Sequence, residues 1–194
     1  MPRKSKKLRH GFRTEAEEYA EDFRSELGLE RHEPLKPQCL CDHLCIPVHG
    51  ISDFPGIDAE TRAHFAGDGA SCFSATTLAI NTRRIILHND YQHPNRQASN
   101  IMHEAAHIIL GHPPRAPMMD DGCRNYDPIL ELEANELGFV LLVPRFAALH
   151  AVEAIRDIRL AANYYGVSES LLRYRVRISN AVGWARNRSM KRTA

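Results

Sequence analysis

The feature that most narrows the choice of fold is the five-residue run HEAAH at 103–107, set inside the apolar-periodic stretch NIMHEAAHIILGH. On a helix, positions i and i+4 lie one above the other, so the imidazoles of His103 and His107 can face one ion. Glu104, one residue on and about 100° around the axis, reaches a water on such an ion rather than the ion itself. Two histidines on an ion, beside a carboxylate that takes a proton, is the geometry of a zinc hydrolase. Ile101, Met102, Ala105, Ala106, Ile108, Ile109 and Leu110 make the surrounding helix a dry wall, where a carboxylate is costly without a purpose or a partner. Without a third ligand the same run also fits two core histidines with Glu104 in solvent.

A third ligand is available downstream, in the helical stretch ILELEANELGFVLLVP that begins at Ile129. Glu131 and Asn135 are four apart and share a face. Glu131 can return to the ion, and Asn135 can hydrogen-bond the outer nitrogen of a ligand imidazole and fix its tautomer. Glu133 and Glu136 are rival ligands, or a solvated acidic face. Three protein ligands and a water describe a catalytic zinc site, whereas four describe a structural one.

The rest of the chain reads as helices, a small antiparallel sheet, then more helices, an α+β order. An amphipathic helix is expected over 14–28, capped at Thr14, with Phe12, Tyr19, Phe23 and Leu27 on its apolar side. A second is expected from Pro37 to Cys45, and another around 57–66. Residues 72–80 and 84–88 read as a hairpin, with one further strand near 46–51. The helix bearing HEAAH spans about 95–111. After a proline- and aspartate-rich loop at 112–128, helical patterns follow at 129–142, 145–162 and 168–184, with Ser168 as a cap. The division expected is a basic flexible tail at 1–13, an N-terminal helical region at 14–70, a metal-bearing core at 71–145 and a helical C-terminal part at 146–194, packed as one unit.

Composition excludes some classes. The longest apolar run, residues 137–144, is far short of the roughly 20 residues a membrane span requires, and no apolar segment follows the basic N-terminus as in a secretory signal. Five cysteines, an odd number without an export signal, argue for reduced thiols and a cytoplasmic protein. Cys39, Cys41 and Cys45 lack the spacing of a zinc grip. Cys41 and Cys45 instead read as two buried thiols on one helical face. The net charge of +1 hides a segregation: residues 1–13 carry six basic side chains and 173–194 carry seven, with no acid in either, while residues 14–172 have a net charge of −12. Basic ends on an acidic body can contact nucleic acid or an acidic partner, and Arg173, Arg175 and Arg177 lie on a helix after a tight turn at Gly166.

HEAAHIILGH followed by ELEANELGFVLLVP resembles the ImmA/IrrE family of metallopeptidases. Family members share H-E-x-x-H with a further histidine, then E-x-x-A-N/D, an apolar run and a proline, which fall here on His103, Glu104, His107, His112, Glu131, Ala134, Asn135, Leu141, Leu142 and Pro144. The resemblance implies that His103, His107 and Glu131 hold a zinc ion, that Glu104 is the catalytic carboxylate, and that the fold is a minimal thermolysin-like zincin. It also implies a protein substrate, a helix-turn-helix repressor or antitoxin-like regulator in a stress-response, mobile-element or toxin–antitoxin setting. The usual Phe-Ala after the Asn is replaced by Leu137–Gly138–Phe139. Candidate oxyanion stabilisers are Tyr126, His88 and His112, and Cys123 could ligate the ion's open position at rest. Two other readings remain: a zinc-stapled module that sequesters a regulator without cutting it, and nucleic-acid binding through the basic termini.

Overall fold

The computed structural model describes residues 7–80, 83–113 and 127–192. Tyr126 and Cys123, both singled out above, lie outside them. The order is α1 (Phe12–Glu26), α2 (Pro37–His43), β1 (Val48–Gly50), α3 (Ala59–Ala66), a 3₁₀ turn, β2 (Ala75–Ile80), β3 (Arg83–His88) and α4 (Pro94–Ile109), then α5 (Pro128–Leu142), α6 (Arg145–His150), a π turn, α7 (Ile158–Tyr165), α8 (Glu169–Ile178) and α9 (Ala181–Arg192). This is an α+β architecture.

The sheet differs from expectation in one respect. β2 pairs with β3 antiparallel, Thr77 opposite Ile86, as the hairpin pattern requires. β1 instead runs parallel to β3, with Val48 opposite Ile86, so the sheet is mixed rather than antiparallel, in the order β1-β3-β2. The long segment between β1 and β3 allows a return in the same direction, which a tight hairpin forbids. β3 is thus central, and β2 is an edge.

Helix α4 lies between this sheet and α5, and its sequence explains why. Ile101 and Ala105 join Ile86, Ile46 and Cys41 in a small apolar cluster against the sheet. Met102 and Ala106, about 100° further round, join the larger cluster with α5 and α1. The third face is left for His103 and His107. Helix α5 is buried on nearly all sides through Ala134, Leu137, Val140, Leu141 and Leu142, as its continuous apolar composition demands. Among the described residues no single helix is long and apolar enough to cross a membrane.

Several boundaries move. α1 starts at Phe12 behind Gly11, which takes φ 80°, and Thr14 is not its cap. Phe12 is buried and Leu8 packs on the core, so the basic run joins the folded body before residue 14. α2 stops at His43, because Cys45 turns left-handed at φ 54°. Cys41 is therefore buried and Cys45 exposed, rather than both facing inward. The pattern at 145–162 is broken at Arg156, which takes φ 61°, and Asp157 caps α7 by accepting from the Leu160 N–H. That at 168–184 is broken at Asn180, φ 53°. Ser168 does cap α8, accepting from the Leu171 N–H at 3.2 Å.

Candidate metal centre and active site

Helices α4 and α5 cross closely because residue 138 is glycine. A Cβ there would stand 3.3 Å from the Met102 carbonyl oxygen and the His103 nitrogen. This approach brings the first turn of α5 against the histidine face of α4. His103 Nε2 and His107 Nε2 lie 3.2 Å apart. Glu131 Oε2 is 3.4 Å from His103 Nε2, and Glu131 Oε1 is 3.5 Å from His107 Nε2. A tetrahedral zinc ion with ligands at about 2.0–2.2 Å spaces neighbouring donor atoms about 3.3–3.6 Å apart, so these residues fit such an ion. Three groups that can each present a lone pair, converging this closely, also repel one another unless a proton or a cation lies between them. His103, His107 and Glu131 are the one such cluster of histidine, cysteine and carboxylate ligands among the described residues. The cysteines near residue 41 do not form another: burial pushes the Cys41 thiol up to about 12, and His43 pairs with Glu26 at 2.7 Å.

Glu104 points between the histidine face and the sheet. It is 3% exposed, and the Thr77 hydroxyl of edge strand β2 donates to its Oε2 at 2.7 Å. One oxygen is thereby anchored and the carboxylate is aimed. Glu104, His103 and Glu131 line a cleft of about 710 Å3, whose walls include Ala75 of β2, Asn135 of α5 and Tyr174 of α8. A neighbouring groove of about 970 Å3, edged by residues 7–14, shares Asn135, Phe139 and Tyr174 as a wall.

The other candidates are placed differently from expectation. Asn135 is exposed and makes no hydrogen bond to an imidazole, while His103 Nδ1 is buried without a partner. The group on the outer nitrogen of His107 is His112, with Nδ1 to Nδ1 at 2.9 Å. His112 is 6% exposed, and burial together with the neighbouring His107 lowers its pKa to about 4. It is not among the residues that line the cleft described above. His88 closes β3 opposite Ala75 and is buried outside the cleft, with burial holding its pKa below 6.5. The rival carboxylates have other partners. Glu133 lies 3.7 Å from His112 Nε2 and accepts from Arg9 at 3.1 Å. Glu136 accepts from Tyr174 at 2.7 Å and from Arg175 at 3.3 Å.

Sequence reasoning missed Thr77, Tyr174 and the pairing of Glu133 with Arg9, since each depends on contacts between distant segments. The His107–His112 contact did leave a signal, a glycine placed between the two at residue 111.

The sequence pattern of the IrrE N-terminal-like domain, a peptidase family, matches residues 60–177, more than half of the chain. The match runs from α3 to the end of α8 and so contains every residue that lines the cleft, while residues 7–14, which edge the neighbouring groove, lie outside it. No curated protein matches the chain.

Proposed function

The chain belongs to the family of the IrrE N-terminal-like peptidase domain, and from that premise we propose that it is a zinc-dependent endopeptidase acting on a regulatory protein. The observation that carries the reading is the convergence of His103, His107 and Glu131, donor atoms 3.2–3.5 Å apart, beside a buried Glu104 held by Thr77. His103, His107 and Glu131 would hold a zinc ion, which would supply Lewis acidity toward the scissile carbonyl and a water. Glu104 takes the proton of the attacking water and delivers it to the departing amine. The Thr77 hydroxyl keeps one Glu104 oxygen fixed, so the other oxygen meets the water in one geometry.

The substrate enters as an extended chain. β2 is the edge of the sheet, and its first residue, Ala75, lines the cleft, so a substrate strand can add to that edge through main-chain hydrogen bonds. Asn135, exposed in the cleft wall, is placed to contact the bound chain rather than a ligand histidine. A helix-turn-helix repressor is the substrate class that the family resemblance implies, and local unfolding would expose its scissile segment.

The reading is tested with zinc-loaded wild type and Glu104→Gln, each incubated with a peptide library digested from the proteome and with candidate repressors. New N-termini are then read by mass spectrometry. Cleavage by wild type alone, with about one zinc bound to both proteins, is the expected result. Equal zinc content with cleavage by neither would overturn hydrolysis and leave a stapled binding module.

A further inference from the structure

Helix α4 ends in a way that bears on its second histidine. Gly111 takes φ 66°, and the N–H of His112 bonds to the His107 carbonyl at 3.0 Å while the N–H of Gly111 bonds to the Ile108 carbonyl at 3.1 Å. This paired closure is a Schellman motif. It characteristically brings the side chain after the glycine onto the side chain five residues earlier. Here the two side chains are imidazoles, and their Nδ1 atoms meet at 2.9 Å.

Two nitrogens at that distance need one proton between them, and the surroundings decide which carries it. If His107 Nε2 presents its lone pair to an ion, the neutral ring must carry its proton on Nδ1. His107 Nδ1–H then donates, and His112 Nδ1 must accept. A neutral His112 that accepts at Nδ1 carries its own proton on Nε2. That atom faces Glu133 Oε2 at 3.7 Å, outside direct hydrogen-bond range but near enough for the carboxylate to favour an N–H over a lone pair. Glu133 is nearly buried and is held from behind by the Arg9 guanidinium at 3.1 Å, itself tied to Glu15. The opposite sense would point the His112 Nε2 lone pair at the Glu133 carboxylate. His103 has no such support, since its Nδ1 is buried without a partner.

We propose that His112 and Glu133 are positioning residues that lock His107 in the Nδ1–H tautomer, so that its Nε2 is preset to bind the ion before any ion arrives. The inference rests on the metal site of the proposed function but not on hydrolysis. It replaces the sequence expectation that Asn135 does this work.

Two measurements test it. The first is a long-range 15N–1H NMR spectrum of the metal-free protein, which reports ring tautomers directly and requires neither metal nor turnover. His107 should be the Nδ1–H form and His112 the Nε2–H form. His107 in the Nε2–H form, or in the mixture of an exposed histidine, overturns the proposal. The second is zinc affinity by competition with a chromophoric chelator. His112→Ala should bind zinc about 10- to 100-fold more weakly. His112→Asn places an amide oxygen near the former Nδ1 and should restore most of the affinity, a rescue that a merely packing role would not give. Equal affinity in wild type and His112→Ala, or equal loss in both variants with the fold intact by circular dichroism, overturns it.

Discussion

The Thr77–Glu104 hydrogen bond joins the edge strand to the candidate general base, and its loss should act on chemistry rather than on metal. Thr77→Val keeps the shape and removes the donor. Hydrogen bonds to charged groups contribute about 1.5–3 kcal/mol, so kcat should fall roughly 10- to 100-fold with zinc content unchanged. Steady-state hydrolysis and elemental analysis of the same sample check this, and an unchanged kcat would show that Glu104 is aimed without Thr77. His88 governs stability instead. Burial holds its pKa below 6.5 despite the opposing pull of Asp90 and Asp53. The unfolded chain therefore gains a proton near pH 6.5 that the folded protein does not, so stability is full above that pH and declines as pH falls through it. His88→Gln should lose less of its urea midpoint between about pH 7.5 and 5.5 than the wild type does. An equal loss would assign the slope to other groups. At this scale the sequence was informative where spacing alone sets geometry, as in the i, i+4 pair His103 and His107, and silent where a partner comes from another segment, as with Thr77.

Between elements, the contact of α4 with α5 sets the metal triad, and Gly138 sets the contact. A Cβ at 3.3 Å from backbone can be relieved by a shift of a few tenths of an ångström, so Gly138→Ala should keep zinc. Gly138→Val adds two methyl groups against the Met102 and His103 backbone and should drive the helices apart. Zinc affinity should then drop at least tenfold, measured by chelator competition, and retention at wild-type affinity would mean that Glu131 follows the displaced helix. The same scale explains which face of α8 turns inward. Leu171, Leu172 and Arg175 face inward, and Ser168, Ser170 and Tyr174 line the cleft. Of the three arginines noted in the sequence, Arg175 is an internal strut. Whether α8 turns inward depends on what it packs against, which its own periodicity does not specify.

At the scale of the whole molecule, two buried arginines gather the helices around the end of α5. Arg24 of α1 donates to the Leu141 carbonyl at 2.9 Å, and Arg175 of α8 donates to the Val143 carbonyl at 2.8 Å. Carbonyls at a helix C-terminus lack helical partners and attract positive charge. Arg175 also pairs with Glu17 of α1 at 2.6 Å and with buried Glu136 at 3.3 Å. Arg175→Leu would remove the buried cation beside Glu136 and should cost about 3–5 kcal/mol in urea unfolding, whereas a cost under about 1 kcal/mol would show that Tyr174 and Arg13, the latter 3.3 Å from Glu136, suffice for it. By itself the sequence determined the features that neighbouring residues fix: the helical periods, the Ser168 cap, the β2–β3 hairpin and the histidine pair one turn apart. The sequence singled out Glu131 and kept Glu133 and Glu136 as rivals, and the packed structure decided what each carboxylate of α5 meets. Glu131, Glu133 and Glu136 turn to the imidazoles, to Arg9 and to Arg175 respectively. It also decided that β1 runs parallel and that Arg175 lies inside. The physical reason is range: a cap or a turn closes within a few residues, while burial and pairing across more than a hundred residues exist only once the packed core has fixed how the helices and strands meet.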